Sequence, residues 1–77
     1  MSLDNLFQED KNMKNVIMAR IMNEYNIIEV SKGYFRTKNG RAYIEEREFD
    51  YHVIAANGNS KGTAASFARA CIIANNV

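Results

Sequence analysis

The chain has 77 residues, 47% of them hydrophobic and 25% charged, with a formal net charge of +1. That length suits one domain over residues 1–77 and excludes two, and the hydrophobic share excludes intrinsic disorder. The lone cysteine, Cys71, excludes an intrachain disulfide. The near balance of charge excludes global attraction to nucleic acid or an anionic membrane, so any steering must come from a local patch.

A chain this short buries only about 60–65% of the surface its unfolded form exposes, so its core is thin and self-association is expected on stability grounds. His52 and Cys71 stand alone as members of their types, which argues against a metal site or a cofactor. No apolar run approaches the roughly 18 residues that span a bilayer. Met1-Ser2-Leu3-Asp4 does not read as a secretory leader, so a cytoplasmic protein without a membrane partner is expected. Proline is absent, so the turns must rest on Gly and Asn.

The first predicted element is an amphipathic helix over residues 12–25. Met13, Ile17, Ile21, Tyr25 and Ile28 recur at spacings of three and four, while Lys11, Lys14, Arg20 and Glu24 take the other side. Asp10 or Asn12 would cap it. Leu3, Leu6 and Phe7 stand apart behind the polar stretch 8–12, so residues 1–11 read as an N-terminal arm, flexible or a short helix. Val16, Met18 and Met22 widen the apolar stripe beyond what one small sheet covers. They are the candidate protein-interface residues, although core packing is the simpler use for the methionines.

From Asn26 the period changes to two. Ile28, Val30 and Tyr34 lead into Lys38-Asn39-Gly40-Arg41, and Asn-Gly between alternating runs signals a two-residue hairpin in a type I′ turn. That turn predicts Arg36 opposite Tyr43, Phe35 opposite Ile44 and Tyr34 opposite Glu45. One face then carries Phe35, Thr37, Ala42 and Ile44, the other Tyr34, Arg36 and Tyr43. Glu45-Glu46-Arg47-Glu48 is too polar for a sheet interior and predicts a bend near residues 46–48. Phe49, Tyr51 and Val53 then alternate as a further strand ending near Ala56. After the loop Asn57-Gly58-Asn59, Ser60 or Thr63 is expected to cap a last helix from Ala64 to about Asn75, with Ala64, Phe67, Ala68, Cys71 and Ile72 facing inward. The sum is an α+β two-layer sandwich in the order α-β-β-β-α, with an antiparallel sheet and the helices on one face.

The most suggestive segment for function is residues 32–43, which holds Lys32, Arg36, Lys38 and Arg41 with Tyr34, Phe35 and Tyr43 and no acid. Cations hold phosphates while aromatic faces stack on bases, so Lys32, Tyr34, Arg36, Lys38, Arg41, Tyr43 and the later Lys61 are the candidate partner-binding or nucleic-acid-binding residues. The same segment also reads as an ordinary solvated hairpin. The acids that follow, Glu45 to Asp50, would repel phosphates on a shared face and suit a solvated sheet edge. No carboxylate pair or nucleophile–base spacing points to catalysis. His52 should face away from Tyr51 and Val53, and Cys71 falls on an inner helical stripe, where it acts as a small hydrophobe.

Met22-Asn23-Glu24-Tyr25, Phe49-Asp50-Tyr51-His52-Val53 with Asn57-Gly58, and Ser60-Lys61-Gly62-Thr63-Ala64 together resemble motifs of the double-stranded RNA-binding domain. The resemblance covers about residues 13 to 75. It implies an α-β-β-β-α order, Glu24 toward an RNA minor groove and Lys61 on phosphate. Gly62 and Ala65 stand where that family carries further lysines, and its Gly-Pro-x-His loop is missing.

Two functions follow as expectations. One is a small non-enzymatic protein that regulates or inhibits a cellular or host factor by protein–protein contact, as compact phage-encoded proteins do, with a homodimer as one form of that contact. The other is a nucleic-acid-binding module built on the basic and aromatic hairpin.

Overall fold

The computed structural model describes residues 16–77. The expectations for the arm, the Asp10 or Asn12 cap and Met13 lie outside the described residues. Helix α1 occupies residues 16–25 and ends at Asn26, whose φ of 58° is the only positive value at a described non-glycine residue. Asparagine tolerates that left-handed conformation better than most residues, so the chain reverses there directly into a strand.

Five strands follow: β1 (Ile27–Ser31), β2 (Tyr34–Thr37), β3 (Ala42–Glu46), β4 (Tyr51–Ala55) and β5 (Ser60–Ala64). They form one antiparallel sheet in the order β1-β2-β3-β4-β5. The last element is α2 (Phe67–Asn75). The α+β class, the antiparallel sheet and the helices on one face are as the sequence predicts, but the sheet has five strands rather than three.

The two extra strands have local causes. Gly33, at φ 77°, turns the chain between β1 and β2, which splits the alternating run after Ile28 into a hairpin. A bulge between Glu29 and Ser31 absorbs the odd residue. At the other edge, Ser60-Lys61-Gly62-Thr63-Ala64 is strand β5, paired with β4, and does not open the last helix. Ser66 is the N-cap instead, its hydroxyl accepting from the Arg69 N–H at 3.3 Å.

The β2–β3 register is the predicted one: Tyr34 pairs with Glu45, Phe35 with Ile44 and Arg36 with Tyr43. Its turn is not of type I′, however, because Gly40 (φ 74°) has a positive φ and Asn39 does not. Residues 38–41 form a wider loop in which the Asn39 carboxamide oxygen accepts from the Thr37 hydroxyl at 2.6 Å and the Arg41 N–H at 3.0 Å. A side chain thus takes the place of a second left-handed residue.

The inner face of the sheet carries Ile27, Phe35, Ala42, Ile44, Val53 and Ala64, all buried. Phe67, Ala70, Cys71 and Ala74 of α2 lie on it. Alanines let the helix axis approach closely, and Phe67 fills the remaining depth, 4.7 Å from the Phe35 ring and 5.6 Å from that of Tyr51. From α1, Met18, Ile21, Met22 and Tyr25 pack against the same cluster. The Asn75 amide ties the two helices by donating to the Tyr25 carbonyl at 2.7 Å and to that of Cys71 at 3.1 Å.

Candidate binding face

Strand alternation sends every second side chain to the side of the sheet away from the helices. Cross-strand pairing sets those side chains in two rows. Ile28, Arg36, Tyr43, Ile54 and Ser60 form one, and Tyr34, Glu45, His52 and Thr63 the other. Each is half-buried or exposed, and among the described residues no helix or loop covers this face.

The chemistry of the face is mixed and close to neutral. Ile28 and Ile54 flank the centre. The rings of Tyr34 and Tyr43 meet at 5.7 Å between centroids with a 34° tilt, so two phenols form one aromatic surface. Arg36 is pinned beside them, its Nη1 donating to the carbonyls of Thr37 at 3.1 Å and Lys38 at 3.3 Å. Glu45 supplies the opposing charge. His52 Nε2 and Ser60 Oγ share a hydrogen bond of 2.8 Å across the bulge between β4 and β5.

Of the sequence-predicted residues of the hairpin and β5, the structure brings Tyr34, Arg36 and Tyr43 together on the bare face and sets the other cations at the two ends of the sheet. Lys38 and Arg41 lie in the β2–β3 loop, and Lys61 on edge strand β5 near the same end of the sheet. Lys32 sits in the β1–β2 turn at the opposite end. On α1, Val16 is 52% exposed with Ile17 at 55%, whereas Met18 and Met22 spend their side chains on the core.

Sequence reasoning missed Ile28, Ile54 and His52 as neighbours of the tyrosines. The signal was available, because a second hairpin around residues 47–50 places Ile54 opposite Tyr43 and His52 opposite Glu45. It also placed Phe49 inside a strand. Phe49 instead projects from the β3–β4 turn, 87% exposed. That turn is closed by the Arg47 N–H donating to the Asp50 carbonyl at 2.9 Å and by two guanidinium–carboxylate bonds of 2.8 and 2.9 Å. Those bonds hold the Asp50 carboxyl below its ordinary range and raise the Arg47 guanidinium further.

At the far end of the sheet a shallow recess of about 360 Å³ is lined by Arg41, Ala55, Ala56, Asn57, Lys61 and Val77. Among the described residues, the recess and the sheet face hold few groups that could react. Cys71 is fully buried, and burial pushes its thiol up to about 12, so it holds its proton. The His52–Ser60 pair lies on an open surface, and among the described residues no carboxylate is hydrogen-bonded behind the imidazole. Among the described residues no group of three or more His, Cys, Asp or Glu side chains could hold a metal ion, and no helix is long and apolar enough to cross a membrane.

No protein-family model, no curated protein and no solved structure matches this chain.

Proposed function

We propose that this chain is a small non-enzymatic binding protein that regulates a partner protein by holding it on the uncovered face of the sheet. The observation that carries the reading is the composition of that face: two tyrosines in contact, two isoleucines beside them, and one arginine set against one glutamate. Tyrosine and arginine dominate the energetic centres of protein interfaces, and a rigid sheet presents them with little entropy left to lose. The near-neutral charge favours a partner protein over a polyanion.

The test compares wild type with Tyr43→Asp and Ile54→Asp in capture from a native extract, with retained proteins identified by mass spectrometry. A specific protein held by wild type and lost from both variants supports the reading. Equal retention by all three sinks it, provided both variants keep the wild-type circular dichroism.

A second reading has an observation of its own. Arg36, Lys38, Arg41 and Lys61 gather toward one end of the sheet beside the Tyr34–Tyr43 surface, an arrangement that suits a single strand of nucleic acid, with bases on the rings and phosphates on the cations. In keeping with the double-stranded RNA-binding resemblance, Lys61 would contact phosphate, but from an edge strand and without the helix N-terminus that strengthens such a contact. This reading expects affinity for a labelled oligonucleotide that falls steeply with salt and weakens on Arg36→Ala with Lys38→Ala. Failure of both duplex and single strand to bind at low salt eliminates it.

A further inference from the structure

Two features at opposite ends of the sheet are complementary to each other. At one end Phe49 is 87% exposed on a turn that the Arg47–Asp50 ion pair closes, so its ring stands in water. Glu46 and Glu48, both exposed, lie in the same segment and leave that end of the sheet net negative, since Arg47 and Asp50 cancel and only Lys32 of the adjoining turn opposes them. At the other end the recess is lined by Ala55, Ala56 and Val77 together with the cations Arg41 and Lys61 and the polar Asn57. Its volume of about 360 Å³ has room for a benzyl group.

A ring on an acidic turn therefore has its match in a largely apolar recess that carries two cations. The two cannot meet within one copy. Strands β3 and β4, five residues each, hold them about 17 Å apart at the rise of an antiparallel strand.

We propose that copies of this chain associate head to tail, with Phe49 of one copy seated in the Arg41–Lys61 recess of the next. The contact joins two different patches, so it is heterologous and repeats along a row of copies unless the rotation closes a ring. It leaves the uncovered sheet face free and does not rest on the reading of that face. One aromatic anchor in a shallow recess makes a weak contact, with association expected at about 0.1–1 mM.

Sedimentation velocity over rising concentration tests it. Wild type is expected to show an average mass that climbs as concentration approaches about 1 mM. Phe49→Ala keeps the recess but loses the ring, and the double variant Arg41→Glu, Lys61→Glu keeps the ring but reverses the charge of the recess; each alone is expected to stay monomeric. Mixed in equal amounts they are expected to form one-to-one pairs and nothing larger, since each supplies the half the other lacks. Phe49 touches solvent almost alone, so its removal leaves the fold intact, and Tyr34→Asp should associate as wild type does. The proposal is overturned if wild type stays monomeric throughout, if Phe49→Ala associates like wild type, if the mixture fails to pair, or if Tyr34→Asp abolishes association.

Discussion

Thr37 is the one buried polar side chain among the described residues, and its hydroxyl is fully employed. It accepts from the Ala42 N–H at 3.3 Å and donates to the Asn39 carboxamide at 2.6 Å, joining the first pair of the β2–β3 hairpin to the loop that closes it. Thr37→Val keeps the shape and strands that N–H, so urea denaturation should show a loss of about 1–2 kcal/mol. Cys71 behaves differently because it titrates. Its thiol lies above the ordinary value of 9.0, pushed up to about 12 by burial. The unfolded chain therefore releases this proton before the folded chain does. The associated stability is complete below about pH 9 and is lost as pH rises toward 12, at up to about 1.4 kcal/mol per pH unit. Tyr51, also raised by burial, adds a loss of the same sign above its own ordinary value of 10.0. Replacing Cys71 by Ala or Val should flatten the fall between pH 9 and 10.5 in denaturant midpoints. A thiol reagent at neutral pH should label wild type only as fast as the protein unfolds.

At the scale of elements the helix–sheet contact depends on Phe67, which meets both Phe35 and Tyr51. Phe67→Ala should cost about 3–5 kcal/mol. With so thin a core that is a large share of the whole, and thermal melting by circular dichroism should find the variant largely unfolded near room temperature. The elements also show which patterns can be read from sequence. The register of β2 and β3 was legible because Phe35, Thr37, Ala42 and Ile44 alternate strictly with Tyr34, Arg36 and Tyr43, so the burial pattern admits no slip. Strand β5 was not legible. Its Ser, Lys, Gly and Thr bury nothing, only Ala64 reaches the core, and the strand exists through its pairing with β4. The alanine run that continues past it has helical propensity, which drew the predicted helix start back by several residues. Phe49 was misplaced for a related reason. Alternation with Tyr51 and Val53 extends a strand in a pattern, but the Arg47–Asp50 pair closes the turn before it. The proposed binding face was legible in its Tyr34, Arg36 and Tyr43 portion; Ile54 and His52 join it through the β3–β4 hairpin, which the polar run 45–48 marks in sequence only as a bend.

For the whole molecule, the sheet has a covered side and a bare one, and the two carry different kinds of residue. The covered side is nearly all aliphatic and aromatic carbon, which stabilises the fold; the bare side mixes phenol, imidazole, guanidinium and carboxylate, the groups on which the proposed recognition would rest. Substitutions such as Tyr43→Asp should accordingly leave the melting temperature within a few degrees of wild type while removing any partner, a separation of stability from binding that a melting curve and a capture experiment read together. The Asn75 amide reaches across this same architecture to the Tyr25 carbonyl, fifty positions earlier in the chain. On a ribosome α1 is made before α2, so the amide that fastens its end follows it by fifty residues. A chain stopped before Asn75 should therefore exchange the amide protons of residues 16–25 freely, and a chain that includes it should protect them: this helix waits for a group made well after it.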